Sequence, residues 1–440
     1  MARAKKKENL TPEERLQAAL VPESEQPYKV PTNWCWVRLL DSFYNCTDSK
    51  KKIPQKEYIQ DGDIAIIDQG QDLVGGYTND SEMAFSGQLP VIIFGDHTRC
   101  IKYIDFPFVQ GADGVKVLKP KQFFNTKAFY YAFQNVNIPN MGYRRHFPLF
   151  DQYAIPLPPL AEQQRIVDRI ESLFAKLDEA KQKVQEALDS FETRKAAILH
   201  KAFIGELTAR WRKENGVGME SWRTVTFKDA CLKITDGTHH SPVNTPTGEY
   251  MYVTAKNIKE IGIDLTNITF VSKEVHDEIY SRCDVQYGDV LYIKDGATTG
   301  IATVNTIEEP FSLLSSVAVL RPDKKQIMAK YMVYNLNSSK TKAMMINNMS
   351  GNAITRLTLS KIKTAPITVC SLDEQAEIVR ILDHLLAKEQ QAKESTERVL
   401  EQIDLIKKSI LARAFRGELG TNDPSEESAV ELVRQVLQEN

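Results

Sequence analysis

Residues 160–207 recur at 372–419 without a gap, every position displaced by 212. Of the 48 paired positions, 19 are identical. Leu160, Glu162 and Gln163 return as Leu372, Glu374 and Gln375. Ile166 and Val167 return as Ile378 and Val379, and Ala202, Phe203, Gly205, Glu206 and Leu207 as Ala414, Phe415, Gly417, Glu418 and Leu419. A shared register ending in a shared terminator marks a duplication, because two helices that merely resemble each other in composition would not keep it.

The segments before each copy match more loosely. Trp34, Val37 and Asp41 pair with Trp222, Val225 and Asp229, and Gly62-Asp63-Ile64 with Gly288-Asp289-Val290. Val115, Val117, Leu118 and Pro120 pair with Val317, Val319, Leu320 and Pro322, and Pro156 with Pro366. The offset drifts from 188 to 226, 202 and 210, as expected of one scaffold carrying loops of different length. The chain thus reads as an N-terminal extension (1–27), a first globule (28–155), a central helix (156–213), a second globule (214–366), a C-terminal helix (367–419) and an acidic tail (420–440).

The repeated segments carry a heptad stripe. Ile166, Ile170, Leu173, Leu177, Ala180, Val184, Ala187, Phe191 and Ile198 step by threes, fours and a final seven. Ile378, Leu382, Leu385, Ala392, Val399, Ile403, Ile406 and Ile410 follow in the second copy, with Glu389 and Thr396 as polar breaks. Such a seam must be buried against a partner helix. Each helix is expected to run about 40 residues, roughly 60 Å. Pro158-Pro159 stops the preceding segment, and Gly205 and Gly417 suit the C-terminal stops. The simplest partner for each helix is the other copy in an intramolecular coiled coil. Pairing between chains is the rival.

The globules are different material. Short β-branched runs such as Ile64-Ala65-Ile66-Ile67 and Val290-Leu291-Tyr292-Ile293 alternate with turn signals such as Gly75-Gly76, Asp236-Gly237 and Asp295-Gly296. The fold class is α+β, with two mainly-β globules, two long helices forming an antiparallel coiled coil, and a pseudo-two-fold repeat. Residues 28–155 hold 14 Lys and Arg against 13 Asp and Glu, and residues 220–366 hold 17 against 15. Any basic surface must therefore come from uneven placement.

Several function classes are excluded. The Met-Ala-Arg-Ala-Lys-Lys-Lys start has no apolar stretch behind it, so it does not read as a signal peptide, and no run approaches a membrane span. The six cysteines form no C-x-x-C, and adjacent His239 and His240 chelate poorly, so no metal site is expected. A reduced, cytoplasmic protein is expected. No P-loop, G-x-S-x-G, H-E-x-x-H, G-x-G-x-x-G, N-P-P-[FY] or D-P-P-Y string occurs. The chain reads as non-catalytic.

The string Ile155-Pro156-Leu157-Pro158-Pro159-Leu160-Ala161-Glu162-Gln163-Gln164-Arg165-Ile166-Val167, echoed 212 residues later, resembles the specificity subunit of Type I restriction–modification systems. Ile234-Thr235-Asp236-Gly237-Thr238-His239, Ala255-Lys256-Asn257-Ile258 and Lys294-Asp295-Gly296-Ala297-Thr298-Thr299-Gly300 resemble strings of its recognition domains, and Gly95-Asp96-His97-Thr98-Arg99 looks like a variant of the last. The second copy departs where Cys370-Ser371 replaces Pro158-Pro159. The resemblance implies two target recognition domains, each reading one half of a bipartite, asymmetric double-stranded DNA site, with the helices setting the spacing. It implies two modification subunits that use S-adenosylmethionine to methylate adenine, restriction subunits that use ATP and Mg, and no cofactor on this chain. The alternatives are a stand-alone DNA-binding regulator and a coiled-coil scaffold whose globules bind proteins.

Polar side chains read base edges and cations hold phosphates. In the first globule the candidate DNA contacts are Lys50, Lys51 and Lys52, Gln69 and Gln71, His97 and Arg99 beside Asp96 and Thr98, and Tyr143, Arg144 and Arg145. In the second they are Thr235, Asp236, Thr238, His239, His240, Lys256, Asn257, Lys294, Ser350, Asn352 and Arg356. The bland reading of each is a solvated face, a polar turn or a surface ion pair. At the chain ends, Thr11-Pro12-Glu13-Glu14 is a helix start with Thr11 as N-cap, and the acidic tail is expected to form a helix through Ala429–Val433.

Overall fold

The heptad stripes fold as two long helices, Leu160–Phe203 and Leu372–Ala414, of 44 and 43 residues. The computed structural model describes residues 11–347 and 357–438. The first helix begins directly after Pro158-Pro159. The second lacks that pair but has Ser371, whose Oγ accepts from the Glu374 N–H at 3.3 Å. A side-chain cap thus does the work of the missing prolines. Both helices end alike. Gly205 and Gly417 adopt φ of +79° and +77°, and the N–H groups of Glu206 and Glu418 reach back to the carbonyls of Lys201 and Arg413, each at 2.9 Å.

The chain divides into two compact units, Met1–Val184 with Val399–Asn440, and Gln185–Arg398. Each long helix lends one end to each unit. In the first unit Asp178 pairs with Lys407 at 2.5 Å and Lys181 with Asp404 at 3.1 Å. In the second, Glu192 pairs with Lys393 at 3.9 Å and Arg194 with Glu389 at 2.9 Å. Partner numbers fall as the first helix advances, so the helices run antiparallel in both units. Glu389, a polar break in the stripe, is used by Arg194. Burial along the stripe is uneven. Ile166, Ile170, Ile378 and Leu382 are fully buried, whereas Val399 and Ile406 remain 40% and 46% exposed. The expectation that every stripe residue is buried is thereby corrected. The four fully buried positions belong to the core clusters of the globules, whereas Phe191 and Ile403 are covered outside those clusters.

Each globule is closed at its base by its own first and last strands. Cys35–Arg38 pairs antiparallel with Ala154–Leu157, and Arg223–Thr226 with Pro366–Val369. Val37 faces Ile155 and Val225 faces Ile367. The 212-residue offset therefore extends back through these strands, and Pro156 corresponds to Thr368 rather than to Pro366.

The first globule has a four-stranded antiparallel sheet in the order Phe43–Asn45, Val115–Pro120, Val91–Gly95, Ile101–Ile104. The second matches it with Cys231–Asp236, Val317–Pro322, Val290–Ile293, Ala302–Val304. Val290–Ile293 thus occupies the place of Val91–Gly95. The pairing of Gly62-Asp63-Ile64 with Gly288-Asp289-Val290 is overturned, because Ile64–Ile67 lies in a separate mixed sheet beside Phe108–Gly111. A Gly-Asp turn before a β-branched run is a local signal that recurs at unrelated strands.

Aromatic side chains fill the first core, with Phe94 packed on Phe150 at 4.8 Å and on Phe133 at 5.7 Å. The chain ends join this core. Thr11 caps the helix Pro12–Ala19 through a capping box. Leu16 packs in one cluster with Ala429, Val433 and Val436 of the helix Ala429–Gln438. Arg165 holds the tail through both oxygens of Glu426, at 2.8 Å each. Residues 11–27 and 420–438 are thus parts of the first unit. All six cysteines are free. Among the described residues no helix is long and apolar enough to cross a membrane.

Candidate nucleic-acid interface

The Glu-Gln pair that opens each long helix fixes a globule onto it. Glu162 is buried and accepts from Trp34 Nε1 at 2.6 Å, Asn422 Nδ2 at 2.9 Å and Thr421 Oγ1 at 3.2 Å. Glu374 accepts from Trp222 Nε1 at 2.9 Å, Thr208 Oγ1 at 2.7 Å and Arg212 Nη1 at 2.5 Å. Gln163 donates to the Phe123 and Pro158 carbonyls, at 2.9 Å each, and accepts from the Asn125 N–H at 2.7 Å. Gln375 repeats this with the carbonyls of Gln326 and Cys370 and the N–H of Met328. A tryptophan near the start of each globule, the long helix at its end, and the segment after the other long helix meet at one carboxylate. Each globule is thereby fixed to the start of its own long helix.

In the first globule those loops converge. After the strand Val91–Gly95, Asp96 is buried and accepts at Oδ1 from the Phe147 N–H at 2.7 Å. His146 is fully buried, and both its N–H and its ring Nδ1 meet the Asp96 carbonyl at 2.8 Å. Gln69 Oε1 accepts from the His97 N–H at 3.2 Å, and the Gln69 carbonyl accepts from Thr98 Oγ1 at 2.6 Å. The Tyr143 ring stacks on His97 with centroids 4.5 Å apart and planes 10° from parallel. Arg144 and Arg145 are exposed beside it. Lys52 pairs with Asp113 at 2.7 Å. That carboxyl is held below its ordinary value, chiefly by Lys52, with smaller help from Arg145 and His97. Gln69, His97, Thr98, Tyr143, Arg145 and Lys52 therefore belong to one neighbourhood.

The other candidates there separate. Lys50 is exposed, and its N–H completes a turn on Asp48. Lys51 reaches the Ala84 carbonyl at 3.4 Å. Gln71 is exposed. Arg99 turns inward, its backbone at φ +61° and its guanidinium donating to the Ile138 carbonyl at 2.9 Å.

The second globule builds its equivalent turn on charge. Lys294 follows the strand Val290–Ile293 and is buried between Asp295 at 2.9 Å and Asp236 at 3.4 Å. Asp236 also faces His239 at 3.4 Å and Arg282 at 3.7 Å. Arg282 in addition donates to the Gly237 carbonyl. A buried cation is tolerated only when paired in this way. Thr235 lies on the strand Cys231–Asp236, and Thr238 is tied to Leu313 and Ser315 by backbone bonds. His239 and His240 are exposed next to them. Asn257 is buried and closes its own loop, accepting from the Thr254 N–H at 3.0 Å and donating to the Asp264 carbonyl at 3.0 Å. Lys256 beside it is exposed. Ser350, Asn352 and Arg356 lie outside the described residues. The Leu357 N–H donates to the Lys294 carbonyl at 3.3 Å, as the His146 N–H does to Asp96. In both globules the chain leading back to the closing strand thus meets the same strand-end turn. Sequence reasoning missed His146, Asp113 and Arg282 as builders of these turns. Only the histidine carried a signal, its place beside Tyr143-Arg144-Arg145.

A family model described as "Type I restriction modification DNA specificity domain" matches residues 31–189 and again 219–402. The specificity subunit of the Type I restriction enzyme EcoKI of Escherichia coli (strain K12) is 25% identical over 282 residues, covering 61% of this chain and 58% of that one. The EcoBI specificity subunit of Escherichia coli is 25% identical over 279 residues, covering 60% and 58%. The chain thus spans somewhat under three fifths of the length of these relatives. Among solved structures, a chain from work described as "structural basis underlying complex assembly and conformational transition of the type I R-M system" aligns with a TM-score of 0.63 and 19% identity, covering 89% of this chain and all of that one. The HsdS subunit from Thermoanaerobacter tengcongensis aligns at 0.52 and 19% identity, covering 90% of this chain and all of that one. Both likenesses concern the fold. The family match spans both globules and most of both helices, and the chain belongs to the Type I restriction modification DNA specificity domain family.

Proposed function

We propose that this chain is the sequence-specificity subunit of a Type I restriction–modification assembly and catalyses nothing itself. Each globule reads one half of a bipartite, asymmetric DNA site. The observation that carries this reading is the twofold use of one device. In both globules the chain leading back to the closing strand meets the turn after the same strand, by His146 on Asp96 and by Leu357 on Lys294. Exposed donors surround that turn: Tyr143, Arg144 and Arg145 in one globule, His239 and His240 in the other. Cations there suit phosphates, and the mixed polar groups suit base edges in the major groove. Divergent loops on a repeated frame suit a reader of two different half-sites.

The partners follow from the family. Two modification subunits would dock along the helices, bind S-adenosylmethionine and methylate adenine at N6. Restriction subunits would supply ATP- and Mg-dependent cleavage. The helix pair would act as the ruler between half-sites, and free cysteines suit a reducing cytoplasm.

Methylation mapping tests the reading in a cell carrying this chain and the methyltransferase gene beside it. One bipartite motif methylated on adenine is the expected result. Its absence with both proteins expressed would overturn the proposal. Tight specific binding by the chain without partners would favour a stand-alone regulator. A segment inserted into either long helix should alter the spacer and leave both half-sites unchanged.

A further inference from the structure

Tyr143 is 84% exposed, although a ring of this size ordinarily covers apolar surface. It lies flat on His97, which backs one face and leaves the other to solvent. The loop that carries it is fastened on both sides. Arg99 holds the Ile138 carbonyl at 2.9 Å, and Asn140 Oδ1 accepts from the Gly142 N–H at 3.0 Å. Gly142 takes φ +69°, which lets the chain turn sharply just before the tyrosine. On the far side His146 receives the Met141 N–H at Nε2, 3.3 Å away, so its proton sits on Nδ1 and donates to Asp96. The backbone under the backing ring is held by the His97 N–H on Gln69. Arg144 and Arg145 follow directly and are exposed. The inward turn of Arg99, unhelpful for a direct DNA contact, here acquires a purpose, because it anchors the loop.

A fastened loop with a bare, backed aromatic face beside two exposed cations is built for a flat, electron-rich partner next to a phosphate. We propose that Tyr143, supported by His97, stacks on a nucleobase that leaves the helical stack in the half-site read by the first globule. The inference rests on the DNA-reading function proposed above and adds the mode of contact. Stacking gives grip without choosing a base, since every base has a π-face, so specificity is left to neighbours such as Gln69. His97 and His146 are positioning residues that hold the ring and its loop.

The test uses the full chain and a duplex carrying its methylation-mapped site, with 2-aminopurine placed in turn at each position of that half-site. Tyr143→Phe should bind within about twofold of the unaltered chain, and Tyr143→Leu should bind on the order of tenfold or more weaker. One labelled position should change fluorescence with the unaltered chain and Tyr143→Phe but not with Tyr143→Leu. Thermal melts matching the unaltered chain would exclude misfolding at this exposed position. Equal affinity of Tyr143→Leu, with no label responding to the substitution, would overturn the stacking while leaving the DNA-reading function intact. Failure of the unaltered chain to bind any duplex, alone or with its methyltransferase partner, would overturn both.

Discussion

Trp222 donates its indole N–H to Glu374 at 2.9 Å, as Trp34 donates to Glu162 at 2.6 Å, with 188 residues between the tryptophans and 212 between the carboxylates. Two offsets that differ in the sequence meet in one contact. The match explains why tryptophan and Glu-Gln persist in both copies while the loops between them diverge.

The two carboxylates differ in what they neutralise. Glu374 faces the largely buried Arg212, whereas the side chains that donate to Glu162 are the neutral ones of Trp34, Thr421 and Asn422. Glu374→Gln leaves a buried guanidinium without its counter-charge and should cost about 3–5 kcal/mol. Glu162→Gln should cost less, on the order of 1–3 kcal/mol. Urea unfolding of both variants checks the order, and equal losses would refute it.

Gly205 and Gly417 adopt the same left-handed conformation but have different neighbours. A Cβ on Gly417 would lie 2.4 Å from Pro31, a rigid ring, while one on Gly205 would meet the Arg212 guanidinium and the Met219 end at 3.1 Å, contacts that a small shift relieves. Gly205→Ala should cost roughly 1 kcal/mol for the conformation alone. Gly417→Ala should cost clearly more. Thermal melting of the pair decides, and a smaller loss for Gly417→Ala would contradict the packing argument.

Acid should loosen the second unit through His276. Its ring stacks on Tyr250 at 4.1 Å, lies 5.0 Å from Tyr280, and meets Ser312 Oγ at 3.0 Å. Desolvation lowers its pKa from the ordinary 6.5, Lys273 adds to that effect, and Asp277 opposes it. The unfolded chain therefore binds more protons than the folded one in this range. The stabilisation is complete above about pH 6.5 and is lost as pH falls through the lower folded value. His276→Phe should flatten the fall in melting temperature between about pH 7 and 5. An unchanged slope would exclude this histidine as a source.

Lys294→Met should damage the second globule. It leaves Asp236 and Asp295 without the buried cation between them, a loss on the order of 3–5 kcal/mol. Arg282 and His239 remain near Asp236, at 3.7 Å and 3.4 Å, but both side chains are more than half exposed, so they replace little of the buried charge. Denaturant titration followed by a probe in Gln185–Arg398 gives the value. A loss below about 1 kcal/mol would mean that solvent already relieves this pair.

Arg144 and Arg145 should act as phosphate contacts. Replacing both with alanine should weaken binding to every duplex alike and reduce the slope of log affinity against log salt by about 2. A change confined to one base position would instead make them base readers.

The sequence by itself determined the periodic and capped parts. The helix pair, its Gly205 and Gly417 stops, and the Thr11 capping box were legible because each depends on residues a few positions apart. The duplication was legible because register is a property of the string. The tertiary structure alone decided which polar side chains are spent inside the protein. Arg99, Asn257 and Lys294 have the same residue chemistry as Arg144, Gln71 and Lys256, yet the first three are committed to carbonyls, a loop and two carboxylates, while the others face solvent. It also decided that Val290–Ile293 answers to Val91–Gly95 and not to Ile64–Ile67. Strand order and the partner of a buried charge are set by residues distant in the chain, and the energy of such a contact exists only once the chain has closed around it.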